Sequence, residues 1–193
     1  RWLVIDIDHH GESDLDPEYR NEAAAIAIRD KLENQGITSL LMRSNGRGGF
    51  HLWVIFNAPV ETATVYQLGQ WIVEDWQELW LDEKPEVFPK QEHLAEGKLG
   101  NWVRLPGLHH TYDFFTEVWS GKSWLQGEEA IDAICNHPRI AAEDITPERF
   151  ALSPAEESAQ GGVHGDTEEE LETPLELVLS RLPKSFRSGT GYA

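Results

Sequence analysis

The run Trp2-Leu3-Val4-Ile5-Asp6-Ile7-Asp8 constrains this chain more than any other stretch. It has the aliphatic density of a buried strand, yet it carries two carboxylates one residue apart. Strand side chains alternate between faces, so Val4, Asp6 and Asp8 point one way while Leu3, Ile5 and Ile7 point the other way, into a core. Two adjacent carboxylates on a mostly buried surface repel each other and are costly unless a cation neutralises them. A hard divalent cation with oxygen ligands is one solution. The bland alternative is a strand end where the acids meet water or an arginine.

Composition narrows the partners. The 193 residues suit one main domain with a tail, and 8 Trp, 7 Phe and 4 Tyr supply ample core material. The single cysteine, Cys135, excludes an internal disulfide framework and a Cys-based zinc site, which suits a reducing cytoplasm. It falls on a predicted helix and reads as a core residue. No apolar run is long enough to span a membrane, and no signal peptide is evident. Net charge is −18, and residues 1–150 alone carry 26 acids against 13 bases. Such a chain does not grip nucleic acid by general electrostatics; contact must come from a local patch or through bound cations. The chain opens on Arg1, already inside a strand and without Met, so it is expected to be a fragment, a processed product or a chain numbered from its first ordered residue.

Along the chain, Gly11 to Leu15 reads as a loop, and Asp16-Pro17 caps a helix running to about Asn34, with Ala24, Ile28 and Leu32 on one face and Gly36 ending it. Thr38–Met42 reads as a short strand. Ser44-Asn45-Gly46-Arg47-Gly48-Gly49 is a glycine-rich turn into a second apolar strand, Phe50–Phe56, which Asn57-Ala58-Pro59 breaks. Val65, Leu68, Ile72, Trp76 and Leu79 predict a helix from Glu61 to Leu81, with Trp71, Trp76 and Trp80 as core packing. Glu86–Phe88, Asn101–Leu105 and Phe114–Trp119 are further strand candidates, and Glu128–Cys135 reads as a helix. The expected domains are a core over 1–152, a polar, acidic linker over 153–172, and a short helix opening a further module over 173–193. Strands and helices mix in α+β fashion.

A second constellation surrounds the glycine-rich turn. Gly46, Gly48 and Gly49 let the backbone approach a ligand and present its N–H groups, which suits phosphate. Ser44 offers a hydroxyl, Arg47 a cation and His51 an imidazole; the plainer reading is a hairpin turn with an incidental His. A third stretch supplies Glu86 and Lys90, then Arg104, with Asp113 as a competing acid.

The order of these motifs resembles the archaeo-eukaryotic primase superfamily, the primase-polymerases, and most closely its bacterial and mobile-element branch. That family places an Asp-x-Asp or Asp-x-Glu pair on a strand, then a Ser…His motif in a glycine-rich turn-to-strand, then a third acid on a strand. The corresponding residues are Val4-Ile5-Asp6-Ile7-Asp8, Ser44 to His51, and Glu86 of Glu86-Val87-Phe88-Pro89-Lys90. Val103-Arg104-Leu105-Pro106-Gly107 resembles the basic stretch that follows the third acid. The resemblance spans roughly residues 1–125 and departs from the family in having Glu rather than the commoner Asp as third acid, which keeps Asp113 open.

The resemblance implies an RRM-like catalytic core, an antiparallel or mixed sheet backed by helices. It implies template-directed nucleotidyl transfer, as in a DNA primase or polymerase. Asp6, Asp8 and Glu86 would be catalytic and would hold two ions, Mg²⁺ or Mn²⁺. Ser44, Arg47, Gly49, His51, Lys90 and Arg104 would contact the incoming NTP or dNTP or the template. The implied partners are a single-stranded DNA template with its primer, and a fused or associated helicase or zinc-binding module. The string Asp8-His9-His10 invites a rival, the metal-dependent phosphoesterases named for Asp-His-His, although their Gly-Gly-His segment lies in a later domain and Gly49-Phe50-His51 follows too soon. A non-catalytic nucleotide- or nucleic-acid-binding module of the same fold is the third reading.

Overall fold

Strand β1, Trp2–Ile7, lies inside an antiparallel sheet with a hydrogen-bonded neighbour on each side. The computed structural model describes residues 1–8, 17–95 and 97–150. The loop Gly11 to Leu15, the cap Asp16, the linker over 153–172 and the final helix over 173–193 lie outside the described residues. Among the described residues the sheet has six strands in the order β4-β1-β3-β2-β5-β6, with β2 Leu40–Arg43, β3 Phe50–Ile55, β4 Glu86–Phe88, β5 Glu117–Trp119 and β6 Trp124–Leu125. Every pairing is antiparallel. Helices α1 (Pro17–Asn34), α2 (Thr62–Ile72) and α3 (Gly127–Cys135) complete an α+β architecture, and the first six strands and α-helices run β-α-β-β-α-β. No helix among the described residues is long and apolar enough to cross a membrane.

Two cores follow from strand alternation. Leu3, Ile5 and Ile7 join Ala24, Ile28 and Leu32 of α1 and Val65, Leu68 and Ile72 of α2 in the larger core. Val4, on the aspartates' face, joins Leu40, Met42, Trp53, Phe88, Val118 and Ala130 of α3 in a smaller one. Gly36, at φ +71°, ends α1 as expected, with Ile37 N–H bonded to the Leu32 carbonyl and Gly36 N–H to that of Glu33. Gly69 of α2 lets that helix lie against β4; a β-carbon there would strike Val87.

Several element expectations need correction. Strand β2 begins at Leu40 rather than Thr38, because the Ile55 carbonyl accepts the Ile140 N–H (2.8 Å) where a longer β2 would pair. Helix α2 stops at Ile72, and Trp76–Leu79 forms a separate 3₁₀ turn. Lys31 of α1 caps this C-terminus, donating to the Trp71 carbonyl (3.1 Å) and to Asp75 (2.7 Å). Trp71 and Trp76 pack on the core as expected, whereas Trp80 is exposed, in a left-handed conformation at φ 60°. Asn101–Leu105 forms no strand, Phe114–Trp119 shrinks to Glu117–Trp119, and the two-residue β6 pairs with it across the Ser120–Ser123 turn. Cys135 is exposed, not core, because α3 meets the sheet through Ala130, its one buried residue.

Candidate active site

Antiparallel register builds the site. Asp6 pairs with His51 of β3 on one side and with Glu86 of β4 on the other, so His51, Asp6 and Glu86 stand abreast across three strands on one face. His51 is buried, with Nε2 3.4 Å from Asp6 Oδ1. Glu86 accepts from Lys90 Nζ at 2.8 Å. Asp8 follows at the end of β1, where Asn45 Nδ2 lies 3.4 Å from its Oδ1.

The glycine-rich turn is the hairpin loop between β2 and β3, closed by Ser44 N–H to the Gly49 carbonyl at 2.8 Å. Asn45 shapes it: its Oδ1 accepts the backbone N–H groups of Arg47 (2.8 Å) and Gly49 (2.9 Å). Gly46 (φ +67°) and Gly48 (φ +85°) take conformations that favour glycine, and Gly49 leaves room for the Asn45 side chain. Asn21 of α1, almost fully buried, ties the loop down by donating to the Gly48 carbonyl at 2.8 Å. The plain hairpin reading is therefore right as geometry, but its histidine faces the acids.

A cavity of about 340 Å³ opens over this row. Asp6, Asp8, Ser44, His51, Glu86, Lys90 and Arg104 all line it, together with Asn45, Asn101, Trp102, His109 and His110. Asp113 is not among its lining residues. Neither is Arg47, which lies over the Tyr112 ring at 4.2 Å, nor Gly49, whose place is in the turn. Of the two candidate third acids, Glu86 is thus the one beside Asp6.

Arg104 enters from the loop before β5. Its Nη2 donates to the Ser44 carbonyl, and its Nη1 is buried without a hydrogen-bond partner among the described residues. Burial lowers the pKa of this guanidinium, while the charges of Asp6 and Asp8 oppose that shift. His109 is held below the usual histidine range, first by desolvation and then by the Arg104 charge. Its Nδ1 accepts the N–H groups of Thr111 (3.1 Å) and Tyr112 (3.2 Å).

Among the described residues no three His, Cys, Asp or Glu side chains are gathered as a ready ligand set for a metal. The donor chemistry nevertheless fits a hard divalent ion: Asp6, Asp8 and Glu86 supply only carboxylate oxygens, and all three line both this cavity and a neighbouring one of about 250 Å³. In the structure His51 lies against Asp6, and Lys90 pairs with Glu86.

Sequence reasoning passed over Asn21, Asn45, Trp102 and His109. Asn45 carried a signal as an Asn opening a glycine turn, and Asn21 as a polar residue ahead of the apolar positions of α1. The histidines of Asp8-His9-His10 lie outside the described residues. Residues 1–150 match the family model described as the archaeo-eukaryotic primase domain of the TOTE conflict system. No curated protein matches the chain.

Proposed function

We propose, from the premise that the chain belongs to the archaeo-eukaryotic primase domain family of TOTE conflict systems, that it is a template-directed nucleotidyltransferase. The observation that carries this reading is the in-register row His51–Asp6–Glu86, walling one cavity together with Ser44 and Arg104. The β-α-β-β-α-β order with strands 4-1-3-2 is read as the RRM-like core. The family description names a conflict system, and the chemistry is the same whether its product serves defence or replication.

In this reading a primer 3′-oxygen, or that of a first nucleotide, attacks the α-phosphorus of an incoming NTP or dNTP. The bond to the β-phosphate breaks and pyrophosphate leaves. Asp6, Asp8 and Glu86 would hold Mg²⁺ or Mn²⁺, which when bound favours the alkoxide and neutralises charge on the phosphates. Arg104, with an unsatisfied buried Nη1, binds the triphosphate, and Lys90 leaves Glu86 for the same anion. The Ser44 hydroxyl orients the phosphates, and the His51 imidazole faces Asp6. No covalent nucleophile is needed, so positioning and charge suffice.

Extension of a labelled primer on single-stranded template, with Mn²⁺ or Mg²⁺ and either nucleotide type, tests the proposal. The wild-type chain extends and an Asp6→Ala/Asp8→Ala variant does not. Nucleotide binding without extension would establish the non-catalytic module instead. Release of phosphate or nucleoside monophosphate without templated extension would establish a phosphoesterase.

A further inference from the structure

We infer that Trp102 is the stacking platform for the base of the nucleotide whose phosphates enter the cavity, an inference that rests on the reading above. The tryptophans divide by what they touch. Trp2 meets Trp53, Trp71 meets Phe150, Trp119 meets Trp124, and Trp76 packs against the core. Trp80 and Trp102 remain strongly exposed, at 79% and 80%. Trp80 is not among the residues lining the acid-walled cavity; Trp102 is. Among the described residues it has no ring or cation partner.

An indole left this open costs burial that a purely structural residue would take. Its position supplies a use. Trp102 lies two residues before Arg104, so one short segment brings a flat apolar ring and a phosphate-seeking cation to the same cavity. Charge supplies the need. With a net charge of −18 the chain repels polyanions at long range, so its local cations need support from contacts that are not coulombic. Stacking on an aromatic face is such a contact, and it accepts any base because every base has a π-face. The platform therefore favours purines over pyrimidines by ring area and does not read base identity.

The test compares ATP, CTP and inorganic tripolyphosphate by calorimetric titration in Mg²⁺, on the wild-type chain, Trp102→Ala and Trp102→Phe. Wild type binds ATP more tightly than CTP, and both more tightly than tripolyphosphate. Trp102→Ala weakens ATP by roughly 5- to 150-fold, the range of one lost base stack, and leaves tripolyphosphate unchanged. Trp102→Phe keeps most of the affinity. Unchanged ATP binding by Trp102→Ala overturns the platform, as does an equal loss for ATP and tripolyphosphate, which would make Trp102 a prop for the loop. A wild-type chain that binds neither ligand removes the phosphate site and the platform with it. A chain that binds tripolyphosphate as tightly as ATP removes the platform alone.

Discussion

Gly49→Ala probes the glycine-rich turn in a way the structure makes quantitative. A β-carbon at Gly49 would fall on Asn45 Nδ2 and within 2.7 Å of Ser44 Oγ. Both obstacles are side-chain ends, so Asn45 swings aside rather than the backbone moving. The swing breaks the two bonds that Asn45 Oδ1 accepts, from Arg47 N–H at 2.8 Å and Gly49 N–H at 2.9 Å. At about 0.5–1.5 kcal/mol net for each, the loss is about 1–3 kcal/mol. The stiffer unfolded chain returns about 0.4–1 kcal/mol of it. Gly100→Ala is the matched control, because nothing lies within 4 Å of its added carbon and its φ is not positive. Thermal melts followed by circular dichroism should show Gly49→Ala lower by several degrees, at about 2–4 °C per kcal/mol, and Gly100→Ala level or slightly raised. Asn45 also lines the cavity and approaches Asp8, so nucleotide affinity should fall in Gly49→Ala and hold in Gly100→Ala. A Gly49→Ala chain that melts with wild type and binds nucleotide equally would refute the role given to Asn45.

Three further expectations follow from placement and burial. Glu86→Gln should cut primer extension by roughly two orders of magnitude, the scale of one lost electrostatic contact, while Asp113→Asn leaves it intact; the reverse pattern in an extension assay would return the third acid to Asp113. His137 Nε2 is buried without a partner among the described residues, and burial lowers its pKa below the usual 6.5. As pH falls from 6.5 toward that depressed value the unfolded chain protonates first, so stability is lost on acidification, and urea unfolding at pH 7.5 and 5.5 should show a smaller loss in His137→Leu. An identical loss in both proteins would sink that assignment. The Cys135 thiol should react with an aromatic disulfide reagent in the native state, and a requirement for denaturant would put it back in the core.

Legibility tracked how local each determinant is. Strand β1 and its two faces were readable because alternation and aliphatic density lie in a few consecutive residues. Helix α1 was readable because Pro17 and Gly36 mark its ends and Ala24, Ile28 and Leu32 its buried face. The end of α2 was not readable: Trp76 and Leu79 keep helical spacing, and the side chain that caps the actual end, Lys31, lies forty residues from Trp71 in sequence. Asn101–Leu105 has the composition of a strand, but Arg104 is drawn to the Ser44 carbonyl instead of a ladder. The cavity's acids, Ser44, His51, Lys90 and Arg104 were reachable through motif order. Asn21 and Trp102 were not, because their roles depend on what α1 and the 101–105 loop are folded against.

The register also explains why an acid pair is tolerated in so apolar a strand. On the face that Asp6 and Asp8 share, Val4 lies in a sealed core under α3, while the carboxylates lie where that core gives way to the cavity. A one-residue slip of β1 would exchange the aspartates with Ile5 and Ile7 and bury both charges against α1 and α2, so the larger core enforces the site's orientation. Hydrogen bonding on both edges of β1 then fixes Asp6 relative to His51 and Glu86 without any side chain having to hold it there. Against this fixed row lie side chains that can move: the His51 imidazole beside Asp6 and the Lys90 ammonium on Glu86. A site built this way sets its acids by backbone register, so the side chains around them can change partner without disturbing the row.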